Sequence, residues 1–195
     1  MMSRRQTEII QATVNLIAEK GLSAVTMKDI ADQFHISDAA LYKHFHSKNE
    51  ILAGVAGLFE DDARRVLESV AFVSSPLKAV QTFFLDRCDT FARDPALSTV
   101  LLDNELLTDA SFGLQMKRMM EDHQKTIVVT LKKGMACGEI RGDISAEHLF
   151  ILFMGALRLL VRKWKFSGYR IDLSREGRDL WDSLEKLVKP ASSAS

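Results

Sequence analysis

The sequence predicts an all-α protein, on three observations. Apolar residues recur at three-to-four spacing, caps and breakers punctuate the chain at helix-length intervals, and strand-like alternation is scarce. Segment 4–20 sets Ile9, Thr13, Leu16 and Ile17 on one face, and Gly21 follows where a helix would end. Thr26 opens a short helix to about Phe34, with Asp29 three residues on as its capping partner. Ser37 opens a second short helix, to about Phe45. The run Ser47-Lys48-Asn49-Glu50 is a capping box that launches a long helix to about Phe72. Ser75-Pro76 starts a helix reaching Arg93, because proline suits the first helical position. Asp94-Pro95 repeats that device at once, so the chain must bend there. A long pattern covers about 109–137, and the stretch 139–144, with glycines at 138 and 142, reads as a loop. Ser145 caps a strongly apolar helix to about Ser167, and a last helix runs over 174–189 until Pro190 stops it. The count is about nine helices. The expected division is an N-terminal unit at 1–47, a larger helical bundle at 48–190 and a small Ala/Ser tail at 191–195.

Composition excludes several classes. With 47% hydrophobic and 27% charged residues, three prolines and two cysteines, the chain is no disordered tail, collagen or disulfide scaffold. Its most apolar run, Leu149 to Val161, is 13 residues long and interrupted by Arg158. A bilayer span needs about 20, so no membrane association is expected. The start lacks an apolar signal core, and Cys88 and Cys137 stand alone. Both thiols are expected to be free and buried, in a reducing cytoplasm. Lys and Arg total 26 against 26 Asp and Glu, a net charge of zero that at first argues against nucleic acid.

The short helices at 26–34 and 37–45 are separated only by His35 and Ile36. That spacing suits a helix-turn-helix, in which the second helix enters the major groove of DNA. Ile30, Ala31 and Phe34 on the first helix can pack against Ala40, Leu41 and Phe45 on the second. Ser37, Asp38, Ala39, Tyr42, Lys43 and His44 fall largely on the opposite side, where a groove could accept them.

At this point the residues carry a family resemblance. The ordered set Thr26, Ile30-Ala31, Leu41-Tyr42, His44-Phe45 and Ser47-Lys48 resembles the TetR (tetracycline repressor) family, closely over about residues 8–55. The resemblance implies an N-terminal three-helix DNA-binding domain and a C-terminal helical domain for ligand binding and dimerisation. By the same resemblance Thr26 would offer its hydroxyl or amide to a phosphate, and Tyr42 and His44 would bond phosphates flanking the groove. Lys48 would meet a phosphate at the positive end of the next helix. Lys28, Asp38, Ala39 and Lys43 would lie nearest base edges, with Lys43 reading guanine, Asp38 a cytosine amine and Ala39 a thymine methyl. Ser37 completes the DNA-facing set. The family's turn usually has glycine where this chain has His35, a side chain that tolerates positive φ better than most.

For the larger domain, Phe83, Phe84, Phe91, Met116, Met120 and Phe153 are candidate lining for an effector cavity. Arg158 would be an anchor for an anionic effector or half of an ion pair, and the ion pair is the preferred expectation. The resemblance further implies a homodimer in which the last two long helices pair with their symmetry mates. Phe150, Met154, Leu157, Val161, Trp181 and Leu184 are the candidate interface residues. Such a dimer would present two recognition helices to a near-palindromic operator, about 34–36 Å apart.

The expectation is a transcriptional repressor whose partners are double-stranded operator DNA, a second copy of itself and an unidentified small-molecule effector that releases it. The alternative keeps DNA binding but replaces the effector with a protein partner, as in nucleoid-occlusion members of the family. An enzyme is not expected. Glu-x-x-His pairs, a nucleophile elbow, a phosphate loop and a metalloprotease motif are all missing, and no cofactor or metal is called for.

Zero net charge yields to placement. Residues 1–50 hold six Lys and Arg (4, 5, 20, 28, 43, 48) and six Asp and Glu (8, 19, 29, 32, 38, 50). Arg4, Arg5, Lys28, Lys43 and Lys48 stand where phosphates should pass, partly opposed by Asp29, Asp32 and Asp38. A selective DNA binder with weak non-specific affinity is therefore expected.

Overall fold

A computed structural model describes residues 2–101 and 112–190. Among them are nine helices and no strand, as the capping pattern predicts. They are α1 (Arg4–Lys20), α2 (Met27–Gln33), α3 (Asp38–Tyr42), α4 (Lys48–Ala71), α5 (Pro76–Arg93), α6 (Pro95–Leu101), α7 (Phe112–Ala136), α8 (Ala146–Phe166) and α9 (Leu173–Val188). The expected start of α7 near Asp109 and the 191–195 tail lie outside the described residues. α3 is shorter than expected. Its last carbonyls are taken by a tight turn, with the His44 and Phe45 amides both donating to the Leu41 carbonyl at 2.9 and 3.1 Å.

The caps work as their residue types demand. Thr26 accepts from the Asp29 amide while Asp29 accepts from the Thr26 amide, and Ser3 and Gln6 do the same at α1. At α4 the Glu50 carboxylate takes the His46 amide and the Ser47 hydroxyl takes the Glu50 amide. Such caps satisfy the orphan amides of a first turn and are worth about 1 kcal/mol each.

Two compact units emerge. The first comprises Met1–Asp62 with Asp94–Met119, the second Ala63–Arg93 with Met120–Ser195. The motif-bearing unit therefore runs past the boundary expected at residue 47. The reason is packing: Ile51, Leu52, Val55, Ala56 and Phe59 of α4 are buried in the same core as Ile9, Ile10, Ile17, Ile30 and Leu41. Each of these side chains larger than alanine contributes roughly 1.5–3 kcal/mol by leaving water. Phe112 of α7 closes this core edge-on against Phe59, with centroids 6.0 Å apart.

In the second unit, α5, α8 and α9 meet at an aromatic cluster. Trp181 stacks on Phe153 at 5.5 Å and lies beside Phe84 at 5.7 Å. Gly177 lets α9 approach α5 closely, since a Cβ there would stand 2.7 Å from Cys88 Sγ. Cys88 is buried as expected, and burial pushes its thiol up to about 12. Cys137 is exposed, against expectation, because it follows α7 where the chain turns out at Gly138.

Candidate functional site

The helix-turn-helix is built from its turn outward. α2 ends in a six-residue reverse hydrogen bond, the Ile36 amide donating to the Ala31 carbonyl at 3.1 Å. That closure needs one left-handed residue, and His35 supplies it with φ of 52°. The turn thus survives without glycine, at a strain of order 1 kcal/mol. Ile30, Ala31, Leu41 and Phe45 are buried, which fixes how α3 lies on α2.

With that side sealed, the opposite side of α3 faces solvent. Ser37 caps the helix by accepting from the Ala40 amide at 3.2 Å, and Asp38, Ala39 and Lys43 are exposed beside it. Tyr42 is 46% exposed, a large amphipathic ring held in water by its neighbours. His44 is half-buried, its carbonyl taking the Gln6 side-chain amide of α1 at 3.1 Å. Lys28 projects from α2, also exposed. All nine residues expected to face DNA are exposed or half-buried.

Besides Ser37, which caps α3, two of them already have work within the chain. The Thr26 amide and hydroxyl both donate to the Asp29 carboxylate, so a phosphate would have to compete for them. Lys48 Nζ donates to the Leu22 carbonyl at 2.7 Å, which pins the start of α4 to the loop before α2. An ammonium has three protons, so this bond orients the charge without exhausting it. Asp29 also pairs with Lys20 at 2.7 Å, and the Lys20 ammonium and the Thr26 donors hold its carboxyl far below the usual range. The acid that seemed to oppose phosphate is therefore largely neutralised on the spot.

Sequence reasoning missed how Arg4 and Arg5 are held. Both pair with Glu8, at 3.1 and 3.2 Å, and the Arg5 guanidinium lies 4.5 Å over the Phe34 ring. The i,i+3 and i,i+4 spacings to Glu8 were the available signal.

In the second unit, α7 and α8 bound a cleft of about 360 Å³ lined by Met120, His123, Gln124, Phe150, Ile151, Met154, Gly155 and Arg158. Of the expected effector residues only Met120 and Arg158 line it. Phe83, Phe84, Phe91 and Phe153 are buried in the packing of the second unit, and Met116 belongs to the core of the first. Burial of aromatic surface against neighbouring helices outweighed any role as cavity wall. Arg158 forms no ion pair among the described residues, contrary to the preferred expectation, because it sits on an exposed shoulder of α8.

The expected interface set also divides. Leu157, Val161 and Trp181 are 3%, 0% and 1% exposed, so the subunit's own core claims them. Phe150, Met154 and Leu184 are half-buried. The apolar side chains that face outward are instead Ile151, Leu152, Leu159 and Phe166 on α8 and Leu187 on α9.

A capped helix-turn-helix with a polar outward face, joined to further helices, defines an all-α DNA-binding regulator. Residues 9–55 match the model of the bacterial regulatory proteins of the tetR family. It is 26% identical over 166 residues to the transcriptional repressor KstR2 of Mycolicibacterium smegmatis, covering 84% of this chain and 81% of that one. The solved KstR2 of Mycobacterium tuberculosis superposes with a TM-score of 0.85 at 22% identity, covering 98% of each chain. The nucleoid occlusion factor SlmA of Vibrio vulnificus is 29% identical over 205 residues, covering 96% of this chain and 97% of that one. The regulator FadR of Bacillus subtilis, solved with stearoyl-CoA, superposes with a TM-score of 0.76 at 20% identity, covering 93% and 97%. No helix among the described residues is long and apolar enough to cross a membrane.

Proposed function

We propose that this tetR-family regulator is a homodimeric repressor, released from a near-palindromic operator by an anionic small molecule with a largely apolar body. The observation that carries the DNA half is the outward face of α3. Ser37, Asp38, Ala39, Tyr42 and Lys43 stand together in solvent while Leu41 and Phe45 seal the other side. Lys43, Asp38, Ala39 and Lys28 read base edges, and Tyr42, His44, Lys48 and Thr26 hold phosphates.

The effector half rests on the α7–α8 cleft. Its volume lies within the range of small-molecule sites, Met120, Phe150, Ile151 and Met154 make half of its lining, and Arg158 supplies a fixed positive charge at its edge. A carboxylate or phosphate group on an apolar body suits that lining. The stearoyl-CoA of the similar FadR is a ligand of this chemistry. For the dimer, the support is the row of outward apolar residues on α8, whose 21 residues span about 30 Å. Binding of the effector shifts the dimer towards a state whose recognition helices no longer match the groove, which requires affinities that differ between the states.

Likeness to SlmA over nearly the whole chain favours one second reading, in which a protein partner takes the place of the effector. Selection of bound duplexes from random DNA tests the first reading. The expected result is two inverted half-sites, centres about one helical turn or a multiple of it apart. Recovery of single, non-repeated sites would overturn the dimeric operator reading. Co-purification of a protein with the DNA-bound form, with no melting shift from stearoyl-CoA or free fatty acids, would favour the second.

A further inference from the structure

A second cavity of the second unit lies apart from the effector cleft. It encloses about 650 Å³ between the end of α4, the start of α5 and the middle of α7. Its α7 wall is the stripe Asp122, Lys125, Thr126, Val129, Thr130 and Lys133, at the spacing of one helix face. At 100° per residue that stripe points away from Met120 and Gln124, which line the effector cleft from the other side of α7. All of the lining belongs to one unit.

The groove has a closed end and an open one. At the closed end α7 is pressed against its neighbours, since a Cβ at Gly134 would stand 2.5 Å from Ile140 Cδ1 and 3.2 Å from Pro76 Cβ. Glu139 fixes that end by accepting from the Ser75 hydroxyl at 2.7 Å and the Leu77 amide at 3.0 Å. Lys133, next to Gly134, and Ser74, two residues before Pro76, stand there. Further back α4 and α7 leave a trough between them. Its floor is Val70 and Ala79, 4% and 2% exposed, and Val129, 45% exposed, flanks it. Lys125 and Asp122 stand at the open end.

The charges of this trough are uncommitted. Neither Lys125 nor Lys133 forms an ion pair among the described residues, and nor does Asp122, whereas the adjacent Lys132 holds Glu147 at 2.7 Å. The two lysines are eight positions apart, which is about 12 Å along the helix axis. An apolar trough with a cation near each end is complementary to an apolar rod with an anion at each end. Asp122, one turn before Lys125, repels an anion that runs past it, so the site selects for length.

We propose that this groove is a second small-molecule site, which takes an elongated dianion: an apolar chain carrying a carboxylate at each end. One carboxylate meets Lys133 and the Ser74 hydroxyl, the chain lies over Val70 and Ala79, and the other carboxylate meets Lys125. The cavity volume is within the range of small-molecule sites. A ligand there touches three helices at once, so its occupancy stabilises the second unit by mass action. The site is independent of the effector reading, because it shares no residue with the α7–α8 cleft.

Calorimetric titration of the full chain with decanedioate, alongside thermal melts, tests this. Decanedioate should bind and raise the melting temperature. Decanoate lacks one carboxylate and butanedioate is too short to reach both lysines, so each should bind at least about fivefold more weakly. Lys125→Gln and Lys133→Gln should each weaken decanedioate about fivefold, towards the affinity of decanoate. Val129→Glu sets a negative charge in the middle of the trough and should abolish binding. All three positions are exposed, and circular dichroism of the ligand-free variants checks that the fold is kept. Arg158→Gln, in the other cleft, should leave decanedioate affinity unchanged. A loss with Arg158→Gln and none with Val129→Glu would put the dianion in the effector cleft and overturn this site. Equal affinities for decanedioate and decanoate would overturn the two-ended assignment. Absence of both heat and a melting shift at about 10 mM decanedioate would overturn the proposal outright while leaving the effector reading as it stands.

Discussion

The two units use their surfaces in opposite ways. In the first, α3 buries Leu41 and Phe45 and leaves polar or small side chains outward. In the second, α8 buries Phe153, Leu157, Leu160 and Val161 yet still leaves Ile151, Leu152, Leu159 and Phe166 in water. A polar face on a well-capped short helix suits a charged, hydrated partner such as DNA, where recognition runs through hydrogen bonds and phosphate pairs. An apolar face on a long helix suits a partner that excludes water. The two faces thus differ in their physics, and variants can separate them.

The largest effects are expected at the close helix approaches, one in each unit. A Cβ at Gly54 would press on the buried Ile10, with Cγ1 at 2.9 Å, and a Cβ at Gly177 would meet Cys88. Overpacking of this kind costs about 1–3 kcal/mol, against up to about 1 kcal/mol gained in helix propensity. Gly54→Ala and Gly177→Ala should each lower the urea midpoint. Gly57→Ala, with nothing within 4 Å, should raise it by about 0.5–1 kcal/mol in free energy. A stabilising Gly54→Ala would show that the core of the motif unit is looser than its packing implies.

Smaller effects come from the cap that organises the DNA-facing unit. Thr26→Ala should cost about 1 kcal/mol, since it leaves the α2 amides without their acceptor. Asp29 adds a pH signature. Its folded pKa is depressed by Lys20 and Thr26, so its contribution is present above the ordinary carboxylate value near 4 and fades as pH falls through the lower folded value. Asp29→Asn should therefore be less stable than the parent at pH 7, and the gap should narrow in urea melts near pH 3 and below. A gap that widened in acid would reverse the assignment.

The motif unit was the more legible of the two, for a physical reason. Caps are local: Thr26 with Asp29, and Ser47 with Glu50, fix helix starts within four residues, and each pair is found doing so. The turn at His35 was equally readable, because only a left-handed residue closes α2 onto α3. In α8, by contrast, apolar residues surround the helix. Periodicity therefore does not say whether Leu157 or Leu159 faces the core, although the first is 3% and the second 69% exposed. The cleft depends on α7 lying along α8, a pairing between segments distant in sequence. Met116 and Met120 illustrate the limit, being one turn apart on α7 yet serving different units.

The central claim is that α3 reads bases while the start of α4 holds phosphate, and anisotropy titrations at stepped salt test it most directly. The chain, Lys43→Ala and Lys48→Ala are each measured on the selected operator and on an unrelated duplex. Lys48→Ala should weaken both duplexes alike and reduce the salt slope by about one unit for each phosphate left unpaired. Lys43→Ala should lose about 1–3 kcal/mol of preference at particular base pairs while changing the unrelated duplex little. Equal, sequence-blind losses from the two variants would contradict the division of labour between α3 and α4.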